Sequence, residues 1–234
     1  NLRLVSLQGY VLENFSPQDY LDNIAEHVEP WSYLKFPYYK KLGFPEGVYR
    51  VGPLGRVNMC DQIDTPLANA ELKIFKALNG GKPVENTLHY HYARLIETLF
   101  ALERLPMLLD DPDILSTDIL NTKQNPVERG VGCIEAPRGT LIHDYTINEN
   151  HQLVKVNLIV STGHNNYAIS KAVDSVAKTY VHAPKVEEGM LNRVEHAIRA
   201  HDPCLSCSTH AVGQMPIEIS VYDVAGKLTQ VLKR

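Results

Sequence analysis

The sequence predicts a mainly helical α+β fold. Helical and strand-like patterns neither alternate as β-α units nor separate into two blocks, which is typical of that class. Hydrophobic residues make up 44% of the 234 positions. A chain of this length and composition is expected to be globular and to bury a substantial core.

A first helix is predicted from a start signal near the amino end. Ser16 supplies a cap, Pro17 suits the first helical position, and Asp19 follows in the first turn. The helix should end before Pro30. Its apolar face would consist of Leu21, Ile24 and Val28.

A long amphipathic helix is predicted from Thr87 to about Leu105, before Pro106. Between the two helices, residues 31–68 are rich in Gly, Pro and Tyr, and we expect irregular packing there. The apolar stripe of the long helix consists of Leu88, Tyr92, Leu95, Ile96, Leu99 and Leu102.

A β-hairpin and two helices are predicted further along. Alternating apolar residues flank a turn at residues 148–150, which indicates a hairpin over residues 141–160. Helices follow over residues 169–181 and 190–200. Pro203 ends the second helix and disfavours helical geometry at the residue before it.

The composition limits the possible partners. With 23 basic and 27 acidic residues, a net charge of -4 and no long run of like charge, nothing indicates a nucleic-acid partner. No apolar run approaches the roughly 18 residues of a membrane span, and no secretory leader opens the chain. We expect a cytoplasmic protein whose four cysteines are reduced.

The segment DPCLSCSTH, residues 202–210, is the first candidate site. Cys204 and Cys207 are three positions apart, so a turn can direct both sulfurs at one soft transition metal. The spacing alone leaves three alternatives open: a buried pair, a redox couple, or part of a zinc site. Zinc would need further ligands, and no second pair with suitable spacing occurs.

Three other segments give DPCLSCSTH a context. They are GVYRVGPLGRVN at residues 47–58, GCIEAPRGTLIHDY at residues 132–145 and VNLIVSTGHN at residues 156–165. Together the four segments resemble the large subunit of nickel-iron hydrogenases. The sequence STHAVGQMP, residues 208–216, is most similar to the cytoplasmic bidirectional, NAD-reducing group. The resemblance implies that residues 1–234 are the C-terminal part of one large-subunit domain.

The resemblance also implies a ligand set. In the family, four cysteine thiolates hold nickel, and two of them bridge to an iron that carries cyanide and carbon monoxide. Cys204 would be a terminal nickel ligand and Cys207 a nickel-iron bridge. His210 and the backbone carbonyl of Leu158 would bind a Mg²⁺ or Fe²⁺ ion.

Four residues are implied around the metals. Pro137 and Arg138 would lie over the site, Thr162 would hydrogen-bond a cyanide, and Asp202 would be the nearby acid. Without the resemblance, Arg138 would be read as a surface-turn residue and Asp202 as a turn cap. The side chains that we expect not to bind metal are Cys60, Cys133, His89, His91, His143 and His201.

The implied activity is the reversible oxidation of H2 at a Ni-Fe(CN)2(CO) centre. Electrons would leave through iron-sulfur clusters in a small subunit, then through FMN in diaphorase subunits, since this chain has too few cysteines to hold clusters. No G-x-G-x-x-G motif occurs, so NAD would bind elsewhere. Nickel chaperones and a maturation endopeptidase would be further partners.

Two departures from the family pattern matter. The R-x-C-G-x-C segment that supplies the other two thiolates is absent, and we expect further sequence upstream of Asn1. Residues 211–234 follow the terminal histidine. The resemblance implies a cleavable C-terminal extension, whereas the alternation of apolar residues around a turn at Ala225-Gly226 also fits a permanent hairpin.

Two other function classes compete with an enzyme. One is a metal-free scaffold or electron-transfer relative, such as the quinone-reductase subunit of the same fold. The other is an independent redox or zinc module. A scaffold has no need of both Cys204 and Cys207, which favours the hydrogenase.

Overall fold

A computed structural model describes residues 1–120, 127–181, 186–209 and 218–233. These residues have the predicted α+β fold, and none of their helices is long and apolar enough to cross a membrane. The strands are β1 (Leu2–Val5), β2 (Val11–Phe15), β3 (Ile24–His27), β4 (Phe36–Tyr39), β5 (Arg129–Ala136), β6 (Gly139–Ile147), β7 (Leu153–Ile159), β8 (Glu218–Tyr222) and β9 (Leu228–Lys233). The α-helices are α1 (Tyr20–Asn23), α2 (Pro53–Met59), α3 (Pro66–Ala77), α4 (His89–Leu109), α5 (Ser161–His164), α6 (Asn166–Tyr180), α7 (Glu188–Ala200) and α8 (Leu205–Thr209).

The central sheet is antiparallel, in the order β5-β6-β7. The predicted hairpin is confirmed as β6 and β7, and β5 adds a strand that the sequence analysis missed. Ile142 of β6 is fully buried and pairs with Cys133 on one side and Ile159 on the other. Around it, a small core forms from Phe15, Tyr20, Ile24, Ile142 and Ile159.

A larger core lies between helices α2, α3 and α4. It contains side chains from each of these helices and one from the end of α7. Burying this much apolar surface is the main stabilising contribution in such a fold. The buried residues are Leu54, Val57, Ala68, Leu72, Phe75, Val84, Tyr90, Ala93, Ile96 and Ala200.

The long helix is confirmed, but only three of the six residues of its predicted apolar stripe, Tyr92, Ile96 and Leu99, lie in or against the larger core. Within α4, Ile96 is buried as expected, whereas Leu95 and Leu102 are exposed and the buried neighbours are Tyr90 and Ala93. The smaller Ala93 allows α2 and α3 to pack closely there. The helix also continues through Pro106 to Leu109, although a proline at this position cannot donate to the carbonyl of residue i−4.

The predicted first helix is largely wrong. Pro17 starts a single 3-10 turn as expected, but α1 ends at Asn23 and the chain continues as β3. The cause is tertiary: β3 pairs with β4, and this pairing supplies the backbone hydrogen bonds that a longer helix would have made.

The prediction of irregular structure over residues 31–68 is only partly correct. This segment contains β4, all of α2 and the start of α3. Pro53 and Pro66, which suggested loops, each occupy the first turn of a helix, where a missing N–H costs nothing.

The C-terminal elements agree better with the sequence. Helices α6 and α7 and the terminal hairpin of β8 and β9 are confirmed, although residues 210–217 lie outside the described part. The short helix α8 was not predicted. It begins directly after the turn that ends α7.

Two chain segments cross very closely at Gly52 and Gly139. Gly52 has φ 87°, and a Cβ atom there would lie 2.7 Å from the carbonyl oxygen of Arg138. Gly139 has φ 138°, and a Cβ atom there would overlap the side chain of Val51. The close approach at the start of α2 therefore fixes the position of the turn between β5 and β6.

This crossing gives a stability prediction. Gly81→Ala places a side chain at φ 82° with no atom within 4 Å of the new Cβ, and should cost about 1 to 2 kcal/mol through backbone strain alone. Gly52→Ala places the side chain at φ 87° and ψ -161°, a region essentially limited to glycine, and adds the overlap with Arg138, so the loss should be clearly larger. Denaturant titration measures both variants, and equal losses would contradict the close crossing.

Candidate metal centre

A reversal of the chain presents the two thiols. Helix α7 ends at Ala200, and Asp202 adopts φ 48°, in the left-handed region that Asp tolerates better than most residues. Its N–H donates to the carbonyl of Arg199 at 2.9 Å. As the sequence predicted, the residue before Pro203 is not helical, and the chain turns back so that Cys204 immediately precedes α8.

Cys204 is tied to a buried hydroxyl. Its backbone N–H donates to Thr162 Oγ1 at 3.0 Å, and Thr162 is only 4% exposed. Thr162 lies in α5, directly after β7 ends at Ile159. The central sheet thus holds the segment that carries the thiols.

The two thiols interact with each other. Both are free, Cys204 half-buried and Cys207 exposed. A hydrogen bond from the Cys207 thiol lowers the pKa of Cys204, and the same hydrogen bond raises the pKa of Cys207. Ser206 Oγ lies 3.7 Å from Cys204 Sγ and favours the Cys204 thiolate further. The thiolate is the form in which cysteine binds a metal.

Arg138 reaches across to the turn before the thiols. Its Nε donates to the carbonyl of Asp202 at 2.7 Å and lies 3.1 Å from Asp202 Oδ2. Both side chains are about half exposed, so this ion pair by itself adds little stability. Its effect is geometric, because it places a guanidinium beside Cys204 and slightly lowers the pKa of that thiol.

The structure therefore brings six of the predicted site residues together. Pro137 and Arg138 form the turn between β5 and β6, Asp202 and Cys204 flank Pro203, and Thr162 lies beneath. Cys207 lies on α8 next to Cys204.

A cleft of about 300 Å³ lies on the other side of α8. Leu158 of β7 and Ser208 of α8 line it, and the ion pair of Lys35 with Glu26, at 3.1 Å, faces them. Ser208 Oγ is buried and has no hydrogen-bond partner among the described residues. His210 lies outside the described residues, so the ion site of Leu158 and His210 stays a prediction.

The sequence analysis missed a buried polar layer under the site. Asn165 Oδ1 accepts a hydrogen bond from the N–H of Val51 at 2.9 Å, and Tyr90 donates to the carbonyl of Val51 at 3.1 Å. Tyr49 Oη and His164 Nδ1 are 2.7 Å apart. Tyr49, Val51, His164 and Asn165 all fall inside the segments GVYRVGPLGRVN and VNLIVSTGHN. Their presence in these segments was the sequence feature from which the layer could have been predicted.

The remaining cysteines lie away from this site. Cys60 packs at the edge of the larger core and Cys133 at the edge of the smaller one, as expected of small, partly buried residues. Burial raises the pKa of Cys133. Over residues 1–120, 127–181, 186–209 and 218–233, no group of three or more His, Cys, Asp or Glu side chains is arranged to hold a metal ion.

The donor set fits part of a thiolate-bound metal site. Cys204 and Cys207 offer two soft ligands at one place, and soft thiolates select metals such as nickel, iron or zinc. Two hydrogen bonds hold the segment that carries them: Arg138 Nε donates to the carbonyl of Asp202, and Thr162 Oγ1 accepts from the N–H of Cys204.

Comparison with known proteins identifies the class to which this fold and site belong. A model of the nickel-dependent hydrogenase family matches residues 7–210. The chain belongs to this family, as the sequence motifs predicted.

Two individual relatives show which hydrogenase subunits the chain is similar to. The chain is 45% identical to the beta subunit of the NAD-reducing hydrogenase HoxS of Cupriavidus necator over 230 residues, 97% of this chain and 47% of that protein. It is 42% identical to one of the subunits of the F420-non-reducing hydrogenase of Methanothermobacter thermautotrophicus, over 98% of this chain and 49% of that protein. The chain spans about half the length of these relatives.

Solved structures agree. A crystal structure of an NAD+-reducing [NiFe]-hydrogenase in the H2-reduced state matches 89% of this chain and 46% of its own, with 44% identity and a TM-score of 0.83. A [NiFeSe] hydrogenase variant from Desulfovibrio vulgaris Hildenborough matches with 22% identity and a TM-score of 0.57, a similarity of fold.

Burial of His201 beside the site gives a pH prediction. Burial, with lesser effects of Arg50 and Arg94, lowers the pKa of His201 from 6.5 to about 4. The unfolded chain then binds the proton more readily, so the free energy of unfolding should fall as pH drops from about 6.5 towards 4, by up to roughly 3 kcal/mol.

The test compares two variants by denaturant titration at several pH values. His201→Phe keeps a ring against Tyr90, whose ring centroid lies 4.4 Å away, and should reduce this pH dependence. His151→Asn, on an exposed turn, is the control and should leave it unchanged. An unchanged slope in His201→Phe would contradict the assignment.

Proposed function

We propose that this chain is part of the catalytic large subunit of a nickel-iron hydrogenase, which oxidises H2 reversibly to protons and electrons. The observation that carries the proposal is the convergence of Cys204 and Cys207 with Arg138 and Thr162 at one place, in a chain of the nickel-dependent hydrogenase family.

Cys204 and Cys207 would hold the metals. Cys204 is the proposed terminal nickel ligand and Cys207 the proposed bridge between nickel and iron. The lowered pKa of Cys204 supports a thiolate there. A bound Ni-Fe(CN)2(CO) centre would supply the Lewis acidity and redox chemistry for cleaving H2. The other thiolates would come from outside residues 1–234.

Thr162 is suited to bind a small ligand of the iron. Its oxygen already accepts the N–H of Cys204, and its hydroxyl proton has no acceptor among the described residues. A hydroxyl held in this way can donate to a cyanide nitrogen. Because Thr162 is 4% exposed, such a hydrogen bond would be shielded from water.

Arg138, like Thr162, has hydrogen-bond donors that no described residue accepts. Asp202 occupies its Nε and approaches Nη2 at 3.5 Å, and Nη1 has no partner among the described residues. A guanidinium fixed at one edge can present the opposite edge to a ligand. We propose that Arg138, with Pro137 beside it, covers the metals, and that Asp202 sets its orientation.

The carbonyl of Leu158 and His210 are the proposed ligands of a Mg²⁺ or Fe²⁺ ion. The cleft beside Leu158 and the unpaired hydroxyl of Ser208 support a polar site there. Residues 211–234 would be a C-terminal extension that an endopeptidase removes after nickel insertion by nickel chaperones.

The proposed partners follow from the relatives. The similarity to a NAD-reducing hydrogenase supports a cytoplasmic assembly in which iron-sulfur clusters lie in a small subunit, while diaphorase subunits with FMN pass electrons to NAD+. In this assembly, the present chain would supply part of the protein environment of the nickel-iron centre.

The function can be tested by metal analysis of the matured complex. Co-expression with the segment that supplies the other thiolates, the maturation proteins and the small subunit should give nickel and iron in equal amounts, with nitrile and carbonyl infrared bands. Zinc alone would refute the proposal and favour a zinc module. A complex that binds none of these metals would favour the metal-free scaffold.

The ligand assignment has its own test. Cys207→Ser should abolish nickel retention, because oxygen is a harder and less suitable ligand than a thiolate. Cys133→Ser is the matched control and should retain nickel, since Cys133 packs against the smaller core. Equal nickel contents, measured by elemental analysis, would refute the assignment.

A further inference from the structure

Arg56, near the middle of α2, uses every donor of its guanidinium. Nε donates to Glu97 Oε1 at 2.6 Å, and Nη2 donates to Glu97 Oε2 at 2.9 Å, a two-bond pairing with α4. Nη1 donates to Glu135 Oε2 at 3.1 Å. The two remaining N–H groups donate to backbone carbonyls of the β5–β6 turn.

Those two carbonyls belong to the residues directly before Arg138. Nη1 donates to the carbonyl of Ala136 at 2.8 Å, and Nη2 donates to the carbonyl of Pro137 at 2.9 Å. One turn earlier, just before α2 begins, Gly52 presses against the carbonyl of Arg138 itself. The beginning of α2 thus contacts three consecutive peptide units of the turn.

We propose that Arg56 is a positioning residue, which fixes Arg138 over the thiols by holding the Ala136 and Pro137 carbonyls against α2. Glu97 aligns the Arg56 guanidinium from α4. A lysine could not replace it, because an ammonium has three donors instead of five and lacks the planar fork that serves both carbonyls and the carboxylates together. The inference rests on the proposed role of Arg138 at the metal centre.

The test is a double-mutant cycle in the matured holoenzyme complex. Arg138→Lys and Arg56→Gln should each lower kcat for H2 oxidation on the order of tenfold, with little change in KM, because misplacing a catalytic group slows the reaction itself. Arg56→Gln in the Arg138→Lys background should lower kcat no further. Both single variants should displace the nitrile infrared bands, with metal content unchanged.

Two further variants keep the result interpretable. Arg199→Gln breaks a surface arginine-glutamate pair within α7, with Glu195 at 3.0 Å, and should match the wild type in kcat and in the nitrile bands. Arg56→Lys retains the charge beside Glu97 and should resemble Arg56→Gln, so it replaces that variant if Arg56→Gln does not mature.

The outcomes separate the two proposals. A wild-type complex without nickel and iron refutes the hydrogenase function itself. A loaded wild type with an impaired Arg138→Lys, but with normal kcat and bands in the Arg56 variants, overturns the positioning role alone. Additive losses in the double variant overturn it too. So does loss of the metals from both Arg56 variants, since Arg56 would then serve folding.

Discussion

The structure depends on the crossing of α2 with the β5–β6 turn. At Gly52 and Gly139 the two backbones approach so closely that neither position has room for a side chain. Tertiary contacts of this kind fix positions far more sharply than surface ion pairs do, because backbone atoms cannot move aside as flexible side chains can. The turn that carries Arg138 is therefore held against a helix whose apolar side is part of the larger core.

This constraint connects segments that are distant in sequence. The β5–β6 turn reaches Asp202 through Arg138, and the strand that follows it leads through β7 to Thr162 beneath Cys204. The thiols thus take their position from the sheet and from α2 together, although α8 itself is only a short helix at the surface. Rigid support of this kind beneath the two thiols is what the proposed metal centre would require to keep its geometry during a reaction.

The sequence predicted the fold class and the family better than it predicted the individual elements. Regular patterns with clear ends, such as α6, α7 and the β6–β7 hairpin, were found because local chemistry determines them. The segment of Ile24 was assigned to a helix because its pairing with β4 depends on residues that are remote in sequence. Arg56 was missed for the same reason, since its side-chain hydrogen bonds all lead to α4 or to the β5–β6 turn and no local pattern reports them. The thiols, Arg138 and Thr162 were assigned through their motifs, and the structure brings them to one place, while their roles at a metal stay a prediction.

If the proposed function is correct, Cys204 binds nickel in the matured complex. X-ray absorption at the nickel edge of that complex can detect this ligand. Nickel should have sulfur ligands in the wild type, with one sulfur fewer in Cys204→Ser and no change in Cys60→Ser, because Cys60 packs at the edge of the larger core. Nickel with only nitrogen and oxygen neighbours, or an unchanged sulfur count in Cys204→Ser, would contradict the claim.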